Sequence, residues 1–331
     1  GIIAISGSAG GGGGLTGSSD GIIPTDTVLV SQPHLFEAVG TLPEPRRGQT
    51  IFVVSGTIYS IGGFTPGPET ATNHIMTASV VDPLTWGSSS NPFPVAIAFA
   101  YNYIVDDKAY IVGGLGSGST TNGIDNIWSA SLSDLTSWSD TGQTIPNAQF
   151  TDFGANQSLA VSNDKIWIWS GRDGGVDQID IMTASVDDPT DWGDSGVNFP
   201  AQRSDMASYR AGDYFYSVGG LNLGSTGADD DIFVAHKDDL TNWTQLADLI
   251  PAANRGPMTL VLGDTVYLFG GYNGSVSLDE VYAAPISSPT NFYDVGNLGS
   301  VNFGGSCAVI SGSVYVFGGF DSAIAATIQR S

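Results

Sequence analysis

A short apolar run closed by a glycine pair returns six times along this chain. It reads Thr57-Ile-Tyr-Ser-Ile-Gly-Gly63, Lys108-Ala-Tyr-Ile-Val-Gly-Gly114, Asp213-Tyr-Phe-Tyr-Ser-Val-Gly-Gly220, Thr265-Val-Tyr-Leu-Phe-Gly-Gly271 and Ser313-Val-Tyr-Val-Phe-Gly-Gly319. In the remaining copy, Lys165-Ile-Trp-Ile-Trp-Ser-Gly171, a serine replaces the first glycine. The final glycines recur at a spacing of about 50 residues. Four positions before each lies an aromatic: Tyr59, Tyr110, Trp167, Tyr216, Tyr267 and Tyr315. Such a repeat is one supersecondary unit, stable only when stacked on its neighbours.

A second series keeps the same period. Aromatics follow Asp/Ser-Pro or Asp-Leu turns at Trp86, Trp138, Trp192, Trp243 and Phe292. One period before Trp86 stands Phe36, and one period after Phe292 lies beyond the last residue. The sixth aromatic therefore comes from the opposite end of the chain. That is the arrangement of a closed ring, in which the last blade is completed by an N-terminal strand and no sheet edge stays open there. The expectation is an all-β, six-bladed propeller. Ser55-Gly56 and Gly263-Asp264 are hairpin dipeptides of the kind that accept positive φ.

The glycine-pair strands and the aromatic series together resemble the Kelch-repeat β-propellers over residues 27–331. The resemblance implies four-stranded blades in a Kelch-like ring. Residues 26–331 then form one domain, preceded by an arm or linker at 1–25. The arm, beginning Gly1-Ile-Ile-Ala-Ile-Ser and running through five consecutive glycines, lacks the basic start and long apolar core of a signal peptide. It reads as a flexible linker, or as a docking arm that engages another assembly protein through Ile2, Ile3 and Ile5. Two segments compete for the third strand of the closing blade, Val28–Ser31 and Ala323–Gln329, and the sequence leaves both open.

Charge narrows the partners. With 33 acidic and 10 basic side chains the formal net charge is −23. Nucleic acid and anionic membranes are recognised by clustered Lys and Arg, so neither is expected as a partner, and no stretch reaches membrane-spanning length. The single cysteine, Cys307, excludes an intramolecular disulfide.

Function has to be sought in the loops, because one fold hosts many functions. The loops after the glycine pairs are rich in Gly, Ser, Thr and Asn and carry Phe64, Tyr272 and Phe320, with Arg172 on one of them. The connections entering each blade hold Arg46, Arg47, Arg203 and Arg255. Arg47, Arg172, Arg203 and Arg255, with those three aromatics, are the candidate ligand contacts, because guanidinium groups bind carboxylates or acidic sugars through paired hydrogen bonds. The competing reading has the arginines anchoring neighbouring acidic loops. Asp229, Asp230 and Asp231 could offer oxygens to Ca²⁺, although no fixed calcium-loop spacing is present, and no other cofactor is expected.

Enzyme classes on related folds lack their marks here. Galactose-oxidase-like copper enzymes need paired His and Tyr ligands and a Cys–Tyr crosslink, whereas His34, His74 and His236 fall at unrelated positions. Sialidase-type propellers carry a Ser-x-Asp-x-Gly-x-x-Trp box. The nearest strings, Asp140-Thr-Gly142 and Asp194-Ser-Gly196, lack its Ser and Trp. The phrase Ile181-Met-Thr-Ala-Ser-Val-Asp-Asp-Pro-Thr-Asp-Trp-Gly-Asp-Ser-Gly196 is similar to Kelch-like proteins of tailed bacteriophages, and the glycine run to phage fibre segments. That resemblance implies a non-enzymatic virion surface or tail-appendage protein that docks by its arm and presents loops to a cell-surface glycan or protein. A secreted carbohydrate-active enzyme or carbohydrate-binding module, and a Kelch-type protein-interaction adaptor, are the alternatives.

Overall fold

Each sequence repeat folds into an antiparallel sheet, and six such sheets stand in a ring as a six-bladed β-propeller. The computed structural model describes residues 36–66, 70–116, 123–147, 158–222 and 227–331. The expected arm with Ile2, Ile3 and Ile5, and the segment Val28–Ser31, lie outside the described residues. Among those described there is no helix, and so none long and apolar enough to cross a membrane.

Blade 1 runs from the axis outward through Thr50–Val54, Thr57–Ile61, Ile75–Ser79 and Asp82–Ser88. Blades 2 to 5 repeat this order, beginning at Tyr101–Val105, Leu159–Ser162, Ala207–Ala211 and Met258–Leu262. First strands of neighbouring blades lie against one another between blades 2 and 3, 4 and 5, 5 and 6, and 6 and 1. Blade 6 consists of Ser306–Ile310, Ser313–Phe317 and Thr327–Arg330 from the C-terminal end, with Glu37–Thr41 as its outermost strand. The closing pair is antiparallel, with Glu37 opposite Arg330 and Thr41 opposite Thr327. The competition for the third strand is thereby resolved in favour of the C-terminal segment. Only its last part serves, since Ala323–Ile324 pairs instead with Phe320–Asp321 in the loop before it.

The aromatic series fills the seams. Each aromatic lies on a ring of the preceding blade: Trp86 on Phe317, Trp138 on Phe52, Trp192 on Tyr103, Trp243 on Trp169 and Phe292 on Tyr209. Phe36 completes the set, meeting Phe269 edge-on at 5.7 Å between ring centroids. The main apolar clusters of the described residues accordingly lie between blades, one to each seam.

The glycine pairs stitch blade to blade. The second glycine donates its N–H to a carbonyl of the next blade's entry segment: Gly63 to Ile97 at 2.7 Å, Gly220 to Asn254 at 2.9 Å, Gly271 to Asn302 at 2.7 Å and Gly319 to Arg46 at 2.7 Å. Both glycines have positive φ, and a Cβ on Gly62 or Gly318 would collide with the carbonyl oxygen it passes. In blade 3 Ser170 takes this strained position at φ 57°, and its hydroxyl meets that of Ser158 at 3.1 Å.

All six outer strands slip register against their neighbours. In three of them an Asp side chain caps a glycine two residues on: Asp140 to Gly142, Asp194 to Gly196 and Asp294 to Gly296, each at 2.8 Å. Two of these are the strings compared above with a sialidase box. Their role here is to twist an exposed edge away from pairing with another sheet.

Candidate functional site

In blades 1, 2, 4, 5 and 6 the entry segment and the residue after the glycine pair lie side by side. Isolated backbone bridges join Arg47 to Phe64, Ser204 to Leu221, Arg255 to Tyr272 and Phe303 to Phe320. Because the chain is extended there, neighbouring entry residues point to opposite sides. One position faces the interior of the blade, and the next faces the rim.

Arg46, Arg203, Asn254 and Asn302 occupy the inward position. The Asn254 and Asn302 amides donate to the carbonyls of Gly270 and Gly318, at 2.7 and 2.6 Å. Arg46, wholly buried, does the same for Gly62 at 2.8 Å and also holds Glu44 at 3.0 Å. Burial opposes ionisation of Glu44, but hydrogen bonds from His74 and Arg46 outweigh it and keep the carboxyl below its ordinary range. Arg203 turns to its own blade's loop and contacts Asp229 at 2.7 Å and Asp231 at 2.6 Å. Gln245 adds a bond to the second oxygen of Asp231. Arg203 is buried and committed to these two carboxylates, so the anchoring alternative describes it better than ligand contact does. Asp229, Asp230 and Asp231 do bring carboxylate oxygens within 4.8 Å of one another. The guanidinium already placed against two of them supplies positive charge that a calcium ion would have to share.

Arg47, Ser204, Arg255 and Phe303 occupy the rim position. Arg255 lies over Tyr272 at 4.9 Å and over Phe303 at 5.3 Å. Arg47 lies over Phe320 at 5.3 Å and over Phe64 and Phe99 at 5.8 Å each. Five expected residues (Arg47, Arg255, Phe64, Tyr272 and Phe320) thus meet in one arc across blades 5, 6 and 1. Arg47 and Phe64 are buried within it, whereas Arg255, Tyr272 and Phe320 are half-buried and reach the surface. Phe303 and Phe99 belong to the arc and were not expected. The spacing could have found Phe303, which stands 16 residues before its second glycine, as Arg47 and Arg255 do before theirs.

Arg172 stands on the other half of the ring, opposite Asp177 in the hairpin of blade 3. That half is acidic. Asp173 accepts the N–H of Gly123 and Asp177 the hydroxyl of Ser204, both at 2.8 Å, and Asp229 to Asp231 lie in the next blade. The face is therefore divided into an aromatic–guanidinium arc and a carboxylate arc. Elsewhere, His74 pairs with Glu44 and His236 with Asp238, while His34 lies outside the described residues. Cys307 is buried, and burial pushes its thiol up to about 12. No protein-family model matches the chain, and no curated protein matches it in sequence.

Proposed function

We propose that this protein is a non-enzymatic recognition module whose ligand contacts the loop face over the aromatic–guanidinium arc. The observation that carries the reading is the convergence of Arg255, Tyr272 and Phe320 at the surface of that arc, backed by the buried Arg47, Phe64 and Phe303. Aromatic faces and guanidinium edges suit a glycan, whose C–H faces stack on rings and whose hydroxyl or carboxylate groups accept charged hydrogen bonds. Inward and seam positions are committed to packing, so specificity can vary in the loops without disturbing the core.

The setting we infer is a Kelch-like virion surface or tail appendage. The glycine-rich residues 1–25 attach it to other particle proteins, and the propeller meets a host-cell glycan. The acidic surface supports this reading, since it disfavours adhesion to nucleic acid and anionic membranes. The test is binding to host cells and to an immobilised glycan panel by the intact protein and by an Arg255→Ala/Tyr272→Ala variant. We expect at least a tenfold loss of binding with the melting temperature nearly kept. Undiminished binding, or turnover of a glycoside by the purified protein, overturns the reading.

A further inference from the structure

Two seams on opposite sides of the ring are built to one plan with different residues. Between blades 3 and 4, Ser217 is surrounded by partners. Trp169 Nε1 donates to its hydroxyl at 3.2 Å, the Ser208 hydroxyl lies at 3.1 Å and Met206 Sδ at 3.4 Å.

Between blades 6 and 1 the corresponding serine is Ser60. It stands opposite Ile51 in the strand register, as Ser217 stands opposite Ser208. Gln49 precedes its strand as Met206 precedes its own, and Phe317 replaces Trp169 two residues before the second glycine. All three partners have changed. A phenyl ring carries no N–H and reaches less far than an indole, and Ile51 has no hydroxyl. Gln49 holds the sequence position from which Met206 touches Ser217, and its Nε2 is fixed on the carbonyl of Phe317 at 2.9 Å. Ser60 and Gln49 are both wholly buried. Among the described residues neither Ser60 Oγ nor Gln49 Oε1 has a hydrogen-bonding partner. At the Ser60 position the other four blades carry Ile111, Ile168, Leu268 and Val316, so none of them has a hydroxyl to satisfy there.

Buried polar atoms in this condition are bridged by ordered water in folded proteins. We propose that the seam between blades 6 and 1 binds one internal water molecule, held by Gln49 Oε1 and Ser60 Oγ. The water donates one O–H to the amide oxygen and shares a second hydrogen bond with the serine hydroxyl. It performs there the task that the Trp169 indole performs across the ring. Two polar partners meet the least that an internal water requires.

The test counts long-lived internal waters by magnetic relaxation dispersion of the water nuclei, in the unmodified protein and two variants. Ser60→Ala/Gln49→Met removes both ligands and installs the methionine that blade 4 uses. Phe317→Trp offers Ser60 the indole N–H in place of the water. Each variant is expected to hold one long-lived water fewer per molecule, and because they alter opposite sides of the seam, either alone suffices if the other does not fold. An unchanged count in the folded variants overturns the proposal. So does a high-resolution crystal structure in which the Ser60 hydroxyl bonds Gln49 Oε1 directly.

Discussion

Arg203 and Arg255 look alike in the sequence: both follow a proline closely, and both lie in a segment entering a blade. The structure separates them by one residue of offset in the repeat, enough to turn one inward and leave the other on the rim. Breaking a fully buried ion pair by removing one partner costs about 3–5 kcal/mol. The carboxylates of Asp229 and Asp231 retain some contact with water, so Arg203→Ala is expected near or below the lower end of that range. Arg255→Ala removes stacking worth about 0.5–1 kcal/mol at a partly exposed site. Urea unfolding of both variants checks the order, and equal losses would contradict the assignment. The sequence did not show which arginine was which, because the ion-pair partners of Arg203 lie in a loop more than 20 residues away. Cys307 makes a prediction in pH. Its thiol is raised to about 12 in the folded protein, whereas an unfolded chain ionises near 8.5. Its contribution to stability is therefore complete below about pH 8.5 and lost as pH climbs towards the folded value. Above pH 9 the intact protein should lose stability faster than a Cys307→Ala variant, and parallel profiles would refute this.

The strands and their aromatics were the legible part of the fold. Glycine pairs were readable because they answer to a local backbone demand, and the seam aromatics because each must fill the same wedge. Phe36 was placed as the sixth aromatic by counting alone, and it lies on Phe269. Truncating a buried Phe costs about 3–5 kcal/mol. Phe36→Ala should therefore destabilise the ring about as much as Trp192→Ala, although Phe36 stands about 270 residues before the other three strands of its blade begin at Ser306. Thermal unfolding of the two variants compares them directly, and a silent Phe36→Ala would mean the closing strand contributes no seam. The outer-strand register slips were not legible, since a bulge depends on the partner strand and leaves only a weak mark such as Asp194-Ser-Gly196. The same limit applied to the closing blade, where two apolar segments competed for one strand. Sequence patterning measures apolarity, and the outcome turned on which segment reaches Ser313–Phe317.

For the molecule as a whole, the loop face exists only because the ring is closed. The rim arc draws on blades 5, 6 and 1, and blade 6 is complete only when the two ends of the described chain are paired. Divided as it is between an aromatic–guanidinium arc and a carboxylate arc, that face would lose its geometry if the seam between blades 6 and 1 could open. The register of closure is specific, with Thr41 directly opposite Thr327. Opposed residues of an antiparallel pair have Cα atoms about 4.5–5.5 Å apart, within the span a disulfide bridges. A Thr41→Cys/Thr327→Cys variant, oxidised and compared with its reduced form, reads this closure directly. The expected result is a monomeric, intramolecularly crosslinked chain that migrates faster without reductant and melts at a higher temperature. Two free thiols at those positions under the same oxidation, or crosslinking only between molecules, would contradict the ring closure described here.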